Sequence, residues 1–446
     1  MPDADTIAAV ATAYGRAGIG VVRVSGPDTR RLAASLTGGV PVLRHATLSE
    51  FRDADGTVID RGIAIFFAAP HSYTGEDTLE IQAHGGTAIL RMLLRRCVEL
   101  GARVAEPGEF TKRAFLNERM DLAQAESVAD LIDASSADAV RSAQRSLAGE
   151  FSQRIGAIRD KLIEIRTVLE GVLDFPEEEV ELIDHYGVLE KLDALRGDIA
   201  ALVASATQGN LLREGVQVVL TGAPNVGKSS LMNRLADEEV AIVTEVAGTT
   251  RDLLRRELVV SGLPVHVIDT AGLRLSEDPI ERIGVERSLR QVGQADIVLE
   301  VRDVACANDD RQEKVPFQLA DGAKKILIIN KIDIIGAAPK AVSDDHGETV
   351  WLSAKTGAGV ELLTDALLRA SGRKVTEEVS FMARERHIVA LRRALDHVDG
   401  AREAVEHLEL FAEELRLAHR ALGEITGEFS ADDLLGEIFS RFCIGK

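Results

Sequence analysis

Hydrophobic and polar positions change their period three times along the 446 residues. From Thr6 to about Leu116 the apolar runs are short, such as Ile7-Ala8-Ala9-Val10, Ile19-Gly20-Val21-Val22-Arg23-Val24, Ile63-Ala64-Ile65-Phe66-Phe67 and Thr78-Leu79-Glu80-Ile81. Pro, Gly and Asp separate them, and residues 89–100 supply a helix, which predicts a mixed α+β domain over 1–116. From Asn117 the spacing becomes helical. Phe151, Ile155, Ile158, Leu162, Ile165, Leu169 and Val172 advance by alternating fours and threes, one stripe of a long amphipathic helix. Asp174-Phe175-Pro176-Glu177-Glu178-Glu179 breaks it, and Leu189, Leu192, Leu195, Ile199 and Leu202 begin another. Strand-like runs then appear at 216–220, 265–268, 326–329 and 350–352, β-branched and apolar enough for a buried parallel sheet. The helical code resumes with Ile388, Leu391, Leu395 and Val398, then Phe411, Leu415, Ala418, Leu422 and Ile425. Ser430 with Asp433 caps a last helix that ends near Phe442. A lone amphipathic helix must bury its stripe, so the segments 117–212 and 376–446 are expected to form one bundle with the domain at 213–375 inserted into it. The fold class is multidomain, α/β and α.

Chemistry is concentrated at the ends of the predicted strands. Gly222-Ala223-Pro224-Asn225-Val226-Gly227-Lys228-Ser229 satisfies every fixed position of the phosphate loop G-x-x-x-x-G-K-[ST], between a strand and the helical Ser230-Leu231-Met232. Backbone N–H groups and the helix N-terminus can cradle phosphates there, Lys228 adds a point charge, and Ser229 can ligate Mg²⁺. Asp269-Thr270-Ala271-Gly272 follows a second strand, where Asp269 can hold the Mg²⁺ shell and Gly272 can approach the γ-phosphate. Asn330-Lys331-Ile332-Asp333 follows a third, and the Asp333 carboxylate can accept the two N–H donors of a guanine edge. Ser353-Ala354-Lys355 fits the loop that closes such a base site. Four motifs in this order, each at a strand end, indicate a Ras-like GTPase domain. One position departs from the commonest GTPase chemistry: the residue after Gly272 is Leu273, which cannot orient water. Glu277, Asp278, Glu281, Arg282 and Glu286 are the candidates in the charged stretch that follows.

Composition narrows the class further. With 28% charged and 46% hydrophobic residues, and no apolar run near the roughly 20 residues of a membrane span, a soluble cytoplasmic chain of two to four domains is expected. The beginning of the chain lacks the features of a signal peptide. A net charge of −20 argues against broad nucleic-acid binding and leaves room only for a local patch. Cys97, Cys306 and Cys443 form neither a disulfide framework nor a metal cluster. Cys443-Ile444-Gly445-Lys446 mimics a prenylation box, but Gly445 is not aliphatic and Lys446 is a poor last residue, so lipidation is not expected. Cys443 is read as a small buried filler or as a reactive thiol. Glu80 reads as the polar face of an alternating strand or as a functional carboxylate, and His84 as a turn residue.

Several segments beyond the GTPase motifs carry a more specific likeness: Asp5-Thr6-Ile7, Ser72-Tyr73-Thr74-Gly75-Glu76-Asp77, Arg113-Ala114-Phe115-Leu116-Asn117, Asp121-Leu122-Ala123-Gln124-Ala125-Glu126, Gly248-Thr249-Thr250-Arg251-Asp252 and Cys443-Ile444-Gly445-Lys446. Through them, and through Asp174-Phe175-Pro176-Glu177-Glu178, the chain resembles the MnmE (TrmE) family of tRNA-modification GTPases over essentially its whole length. The resemblance implies an N-terminal folate-binding and dimerisation domain, and an inserted GTPase domain that pairs with its mate when GTP is bound. It implies a homodimer that works with an MnmG-type FAD protein, in a heterotetramer, on carbon-5 of the wobble uridine of tRNA. The implied cofactors are GTP, Mg²⁺, K⁺ and 5-formyltetrahydrofolate or a related one-carbon folate.

Residue by residue, Arg23, Glu80, Lys446 and Arg119 fall where the family contacts the folate, with Arg119 standing for the usual lysine. Glu281 matches the family's catalytic glutamate, which acts through water. Asn225, with Thr244, Val246 and Thr249, matches its potassium site, and Thr250 joins Ser229 at Mg²⁺. Two other classes share a GTPase domain with helical flanks. A ribosome-assembly GTPase would want a basic RNA-binding appendage, and a dynamin-like GTPase a lipid-binding patch; the acidic helical flanks offer neither.

Overall fold

The computed structural model describes residues 5–174, 187–238, 255–269, 293, 295–306, 322–344, 347–373, 381–429 and 432–445. They form two compact units, one made of Met1–Ala129 with Arg416–Lys446, the other of Asp130–Leu415.

The first unit is built on a six-stranded sheet of β1 (Ile7–Val10), β2 (Ile19–Ser25), β3 (Thr47–Arg52), β4 (Val58–Phe67), β5 (Thr78–His84) and β6 (Arg103–Val104), in the order β3-β4-β5-β2-β1-β6. Its pairings are antiparallel except β1 with β6. Alternation along the strands divides the faces. Ala8, Val22, Val24, Leu79 and Ile81 bury one face with Leu32 and Leu36 of α1 (Thr29–Thr37) and Leu93 and Cys97 of α2 (Thr87–Glu99). Ile7 and Ala9 lie on the other with Phe110 of α3 (Glu109–Leu116). Arg23 stands opposite Ala9 on one side and opposite Glu80 on the other, so the register puts both charged residues on this second face. α4 (Leu122–Asp133) follows α3 in the chain.

The second unit carries a seven-stranded sheet of β7 (Val216–Thr221), β8 (Arg255–Val260), β9 (Leu263–Asp269), β10 (Ile297–Asp303), β11 (Lys324–Asn330), β12 (Lys340–Asp344) and β13 (Gly347–Trp351), in the order β12-β13-β11-β10-β7-β9-β8. The five inner strands are parallel, and β8 and β12 close the edges antiparallel. Before this sheet in sequence come α5 (Ala137–Leu147), α6 (Glu150–Asp174) and α7 (Val188–Glu214). Among the described residues the sheet's own helices are α8 (Lys228–Glu238) and α9 (Val360–Ser371); after it come α10 (Glu385–Glu403) and α11 (Leu408–Thr426). The chain returning from the sheet docks on the helices that precede it: Phe381 stacks on Phe151 at 4.7 Å between centroids, and the Met382 N–H donates to Ser146 Oγ at 2.8 Å. The helical stripes are buried as the spacing requires from Phe151 to Leu169, the Val172 side chain lying outside what the structure describes, and there are two shifts of phase: Val188 rather than Leu189 begins the stripe of α7, and Ala394 rather than Leu395 continues that of α10.

Back in the first unit, the final helix α12 (Asp432–Ser440) buries Leu435, Ile438 and Phe439 against Leu122 and Ala125. Beyond it Ile444 pairs antiparallel with Pro107, and the Gly108 N–H donates to the Cys443 carbonyl at 3.4 Å. Gly445 sits at φ +95°, where a Cβ would meet the Val10 carbonyl at 2.5 Å, so only glycine passes this close to β1. Among the described residues no helix is long and apolar enough to cross a membrane.

Candidate functional site

The parallel sheet delivers its loops to one edge, the carboxyl ends of its strands, where open α/β sheets take their ligands. β7 leads into residues 222–229, β9 ends on Asp269, β11 on Asn330, and β13 just before Leu352-Ser353-Ala354-Lys355. Asn225 turns the phosphate loop at φ +63°, a conformation its side chain tolerates better than most. Asn225, Ser229 and Ser230 are exposed at the loop and the start of α8, whereas Val226 is buried. Lys228 is 8% exposed, and its ammonium donates to the carbonyls of Gly222 at 2.6 Å and Ala223 at 2.9 Å. Those acceptors are neutral, so an anionic phosphate oxygen competes well for the same N–H groups.

Asn330 joins three of the loops. Buried to 2% exposure, it donates through Nδ2 to the Val226 carbonyl at 2.8 Å, and its Oδ1 accepts from Lys331 N at 2.8 Å and Ala354 N at 3.0 Å. A Cβ on Gly227, at φ +101°, would lie 2.3 Å from Asn330 Nδ2, so this glycine leaves the room the amide occupies. Asp333 is fixed by Ser353, whose hydroxyl donates to Oδ1 at 2.6 Å. Sequence reasoning missed two supports. Arg234 of α8 donates to the carbonyls of Ala354 and Lys355, at 3.3 and 2.9 Å. Asp303, where β10 ends, bonds the Lys331 ammonium at 2.7 Å, and that ammonium, with the Ala305 N–H, holds the Asp303 carboxyl below the usual carboxylate range. The only sequence signal for Asp303 was its place at the end of an apolar run.

Thr244, Val246, Thr249, Thr250, Gly272, Leu273, Glu281 and Lys446 lie outside the described residues, as does the 175–179 segment. Among the described residues no cluster of His, Cys, Asp and Glu could hold a metal ion.

A second constellation stands on the six-stranded sheet. Arg23 donates through Nε and Nη2 to Glu80 Oε1, at 3.1 and 2.9 Å, and through Nη1 to the Gly445 carbonyl at 3.4 Å. Their side chains are 15% and 22% exposed. Glu80 is therefore not the solvent-facing residue of an alternating strand. The Arg23 guanidinium lies over the rings of Tyr73 and Phe110, at 5.3 and 5.7 Å, and neither ring was singled out from sequence as a partner for it. Burial holds the Tyr73 phenol above its usual range, and its OH bonds Thr111 Oγ1 at 2.8 Å. Arg119, exposed, lies along Gly75, where a Cβ would meet its Cγ and Cδ at 3.3 Å. Cys443 is exposed, which overturns its reading as a buried filler; the segment is anchored instead by Phe442, 6% exposed. His84 is not a turn residue but closes β5, with Nδ1 on Asp60 at 2.9 Å.

Comparison with known proteins adds to this geometry. The family model described as the GTP-binding protein TrmE N-terminus matches residues 6–119, and that described as the MnmE helical domain matches residues 122–443. A tRNA modification GTPase MnmE of Azoarcus sp. (strain BH72) is 57% identical over 443 residues, covering 99% of this chain and 98% of its own. That of Thiobacillus denitrificans is 55% identical over 445 residues, covering 100% and 99%. Among solved structures, the FeoB G-domain from Methanococcus jannaschii aligns with 35% of this chain and 98% of its own at 26% identity, with a TM-score of 0.26. The likeness to these curated relatives extends over essentially the whole chain, at more than half of the aligned positions, and the chain belongs to the MnmE family of tRNA modification GTPases.

Proposed function

We propose that the chain is a potassium-activated GTPase that acts with an MnmG-type flavoprotein on carbon-5 of the tRNA wobble uridine. The product carries an aminomethyl or carboxymethylaminomethyl group, and the one-carbon unit comes from tetrahydrofolate. In this reading Lys228 and the loop amides bind the β- and γ-phosphates, Ser229 and Thr250 hold Mg²⁺ with Asp269 in its shell, and Asp333 selects guanine. Mg²⁺ supplies charge neutralisation at the phosphates, and the exposed Ser229 hydroxyl beside Lys228 suits that donor set. Asn225, Thr244, Val246 and Thr249 hold K⁺, which supplies positive charge where a GTPase otherwise needs an arginine finger. Glu281 orients the attacking water, a task Leu273 cannot perform. The domains are proposed at 1–116, 117–212, 213–375 and 376–446, in a cytoplasmic homodimer joined through the first.

The single observation that supports the folate half is the meeting of Arg23, Glu80 and the Gly445 carbonyl, although Arg23 and Gly445 are 422 positions apart. All the bonds Arg23 makes to Glu80 go to Oε1, which leaves Oε2 for the N–H donors of a flat heterocycle such as a pterin. Lys446 and Arg119 add positive charge for the acidic end of the same ligand, and the exposed Cys443 thiol, two positions before Gly445, is the candidate for chemistry. Calorimetry with 5-formyltetrahydrofolate tests this half: deletion of Gly445-Lys446 should weaken binding and leave GTP affinity unchanged. The catalytic half is tested by turnover in K⁺ against Na⁺, and by Glu281→Ala, which should bind GTP normally and lose on the order of 10²–10³ in kcat. Near-normal turnover of Glu281→Ala in saturating K⁺ would remove Glu281 from its role.

A further inference from the structure

The segment Ser72-Tyr73-Thr74-Gly75-Glu76-Asp77 is more tightly tied down than a surface loop requires. Ser72 Oγ donates to the Glu76 carbonyl at 2.5 Å, and Asn117 Nδ2 donates to the Thr74 carbonyl at 2.7 Å. Thr74 Oγ1 and Ser25 Oγ are hydrogen-bonded at 2.7 Å, and the Ser25 hydroxyl also reaches Glu76 Oε2 at 2.8 Å. Glu76 in turn pairs with Arg113 at 3.2 Å. Ser25 and Thr74 are fully buried. A buried polar network of this kind fixes one arrangement of backbone. The side chain it fixes toward the second constellation is Tyr73, whose ring lies under Arg23 while its hydroxyl is held by Thr111.

We infer that Tyr73, together with Phe110, is a positioning residue for Arg23: the two rings hold the guanidinium where its Nε–Nη2 edge meets Glu80 and its Nη1 reaches the Gly445 carbonyl, so that the charged pair stands ready for ligand. The inference rests on the folate reading of this site. A free arginine loses side-chain entropy each time it engages a ligand. An arginine already confined by two ring faces, a carboxylate and a backbone carbonyl has lost most of it beforehand. Ring-face attraction for a desolvated guanidinium is worth about 1–2 kcal/mol, which sets the size of the effect.

The test is calorimetry of the full-length protein with 5-formyltetrahydrofolate. Tyr73→Leu should weaken binding by about 5- to 30-fold, the affinity equivalent of that attraction. Tyr73→Phe, which keeps the ring and gives up only the bond to Thr111, should stay within about twofold of the parent. Because Tyr73 acts through Arg23, Tyr73→Leu introduced into Arg23→Gln should cost almost nothing further, whereas a merely structural role would subtract the same amount in both backgrounds. Should Tyr73→Leu fail to fold, Tyr73→Met, close to it in volume, carries the same expectation. Unchanged affinity in Tyr73→Leu, or a full loss repeated in the Arg23→Gln background, overturns the inference while leaving the folate site standing. A parent protein that does not bind 5-formyltetrahydrofolate overturns both.

Discussion

Replacing Asn330 by alanine removes one small side chain and three hydrogen bonds that span the phosphate loop, the Asn-Lys-Ile-Asp segment and the loop at Ala354. The Val226 carbonyl and the Ala354 N–H are bonded in buried surroundings, and each buried group left unpaired costs about 1–3 kcal/mol; the Lys331 N–H, partly exposed, can recover water. About 3 kcal/mol of the order among these loops should therefore be lost. Since a nucleotide binds the ordered arrangement, that order must be restored on binding, which corresponds to roughly 10²-fold in affinity. Equilibrium titration with a fluorescent GDP analogue reads this directly. Asn330→Asp sharpens the test, because it keeps acceptors for Lys331 and Ala354 but sets a carboxylate oxygen against the Val226 carbonyl; it too should bind far more weakly than the parent. A loss of less than about threefold in both variants would refute the view of Asn330 as the tie between loops.

Asp333→Asn should lose GTP affinity and gain affinity for xanthosine triphosphate, whose added carbonyl offers an acceptor to the amide; competition titration with the two nucleotides decides it, and unchanged preference refutes it. The Asp303 carboxylate is held low, first by the Lys331 ammonium and then by the Ala305 N–H. Its stabilising contribution is thus full above the ordinary carboxylate pKa of about 4 and vanishes as pH falls through the lower folded-state value. The thermal midpoint of Asp303→Asn should fall below the parent's by a constant amount from about pH 5 to 8 and converge on it in stronger acid. A gap that widens toward low pH would contradict the assignment. Burial pushes the Cys97 thiol up to about 12, while Cys443 is exposed. Brief alkylation at neutral pH, read by peptide mass spectrometry, should mark Cys443 and spare Cys97.

How much of this was legible in the chain differs between the two units. The strand ends expected before the phosphate loop, at Asp269 and before Asn330-Lys331-Ile332-Asp333 are where the sheet puts them, and the helical stripes from Phe151 to Leu169 and from Phe411 to Ile425 are buried as their spacing predicts. What spacing does not carry is how loops brace one another: Arg234 and Asp303 meet the Ala354 and Lys331 segments only through the sheet's order. In the first unit, the Thr47–Arg52 strand escaped notice because it is an edge strand with Phe51 its only fully buried side chain. Glu80 was ambiguous because a strand position looks the same whether its carboxylate faces water or an arginine one strand away. Register, which places Arg23 opposite Glu80, resolves it.

The bond from Arg23 to the Gly445 carbonyl also has a meaning in time. A ribosome extends its chain at about 5–20 residues per second, so the 422 positions between the two residues separate their synthesis by roughly 20–80 s. The sheet bearing Arg23 and Glu80 can fold while most of the chain does not yet exist, and its charged face then waits with one of its partners unmade. Nascent chains in that interval hold the aromatic slot and the carboxylate but lack the backbone oxygen that completes the ring of contacts around the guanidinium. If the proposed folate binds there, occupancy of the site reports that translation has passed residue 445, and a chain stopped short of it carries an incomplete copy.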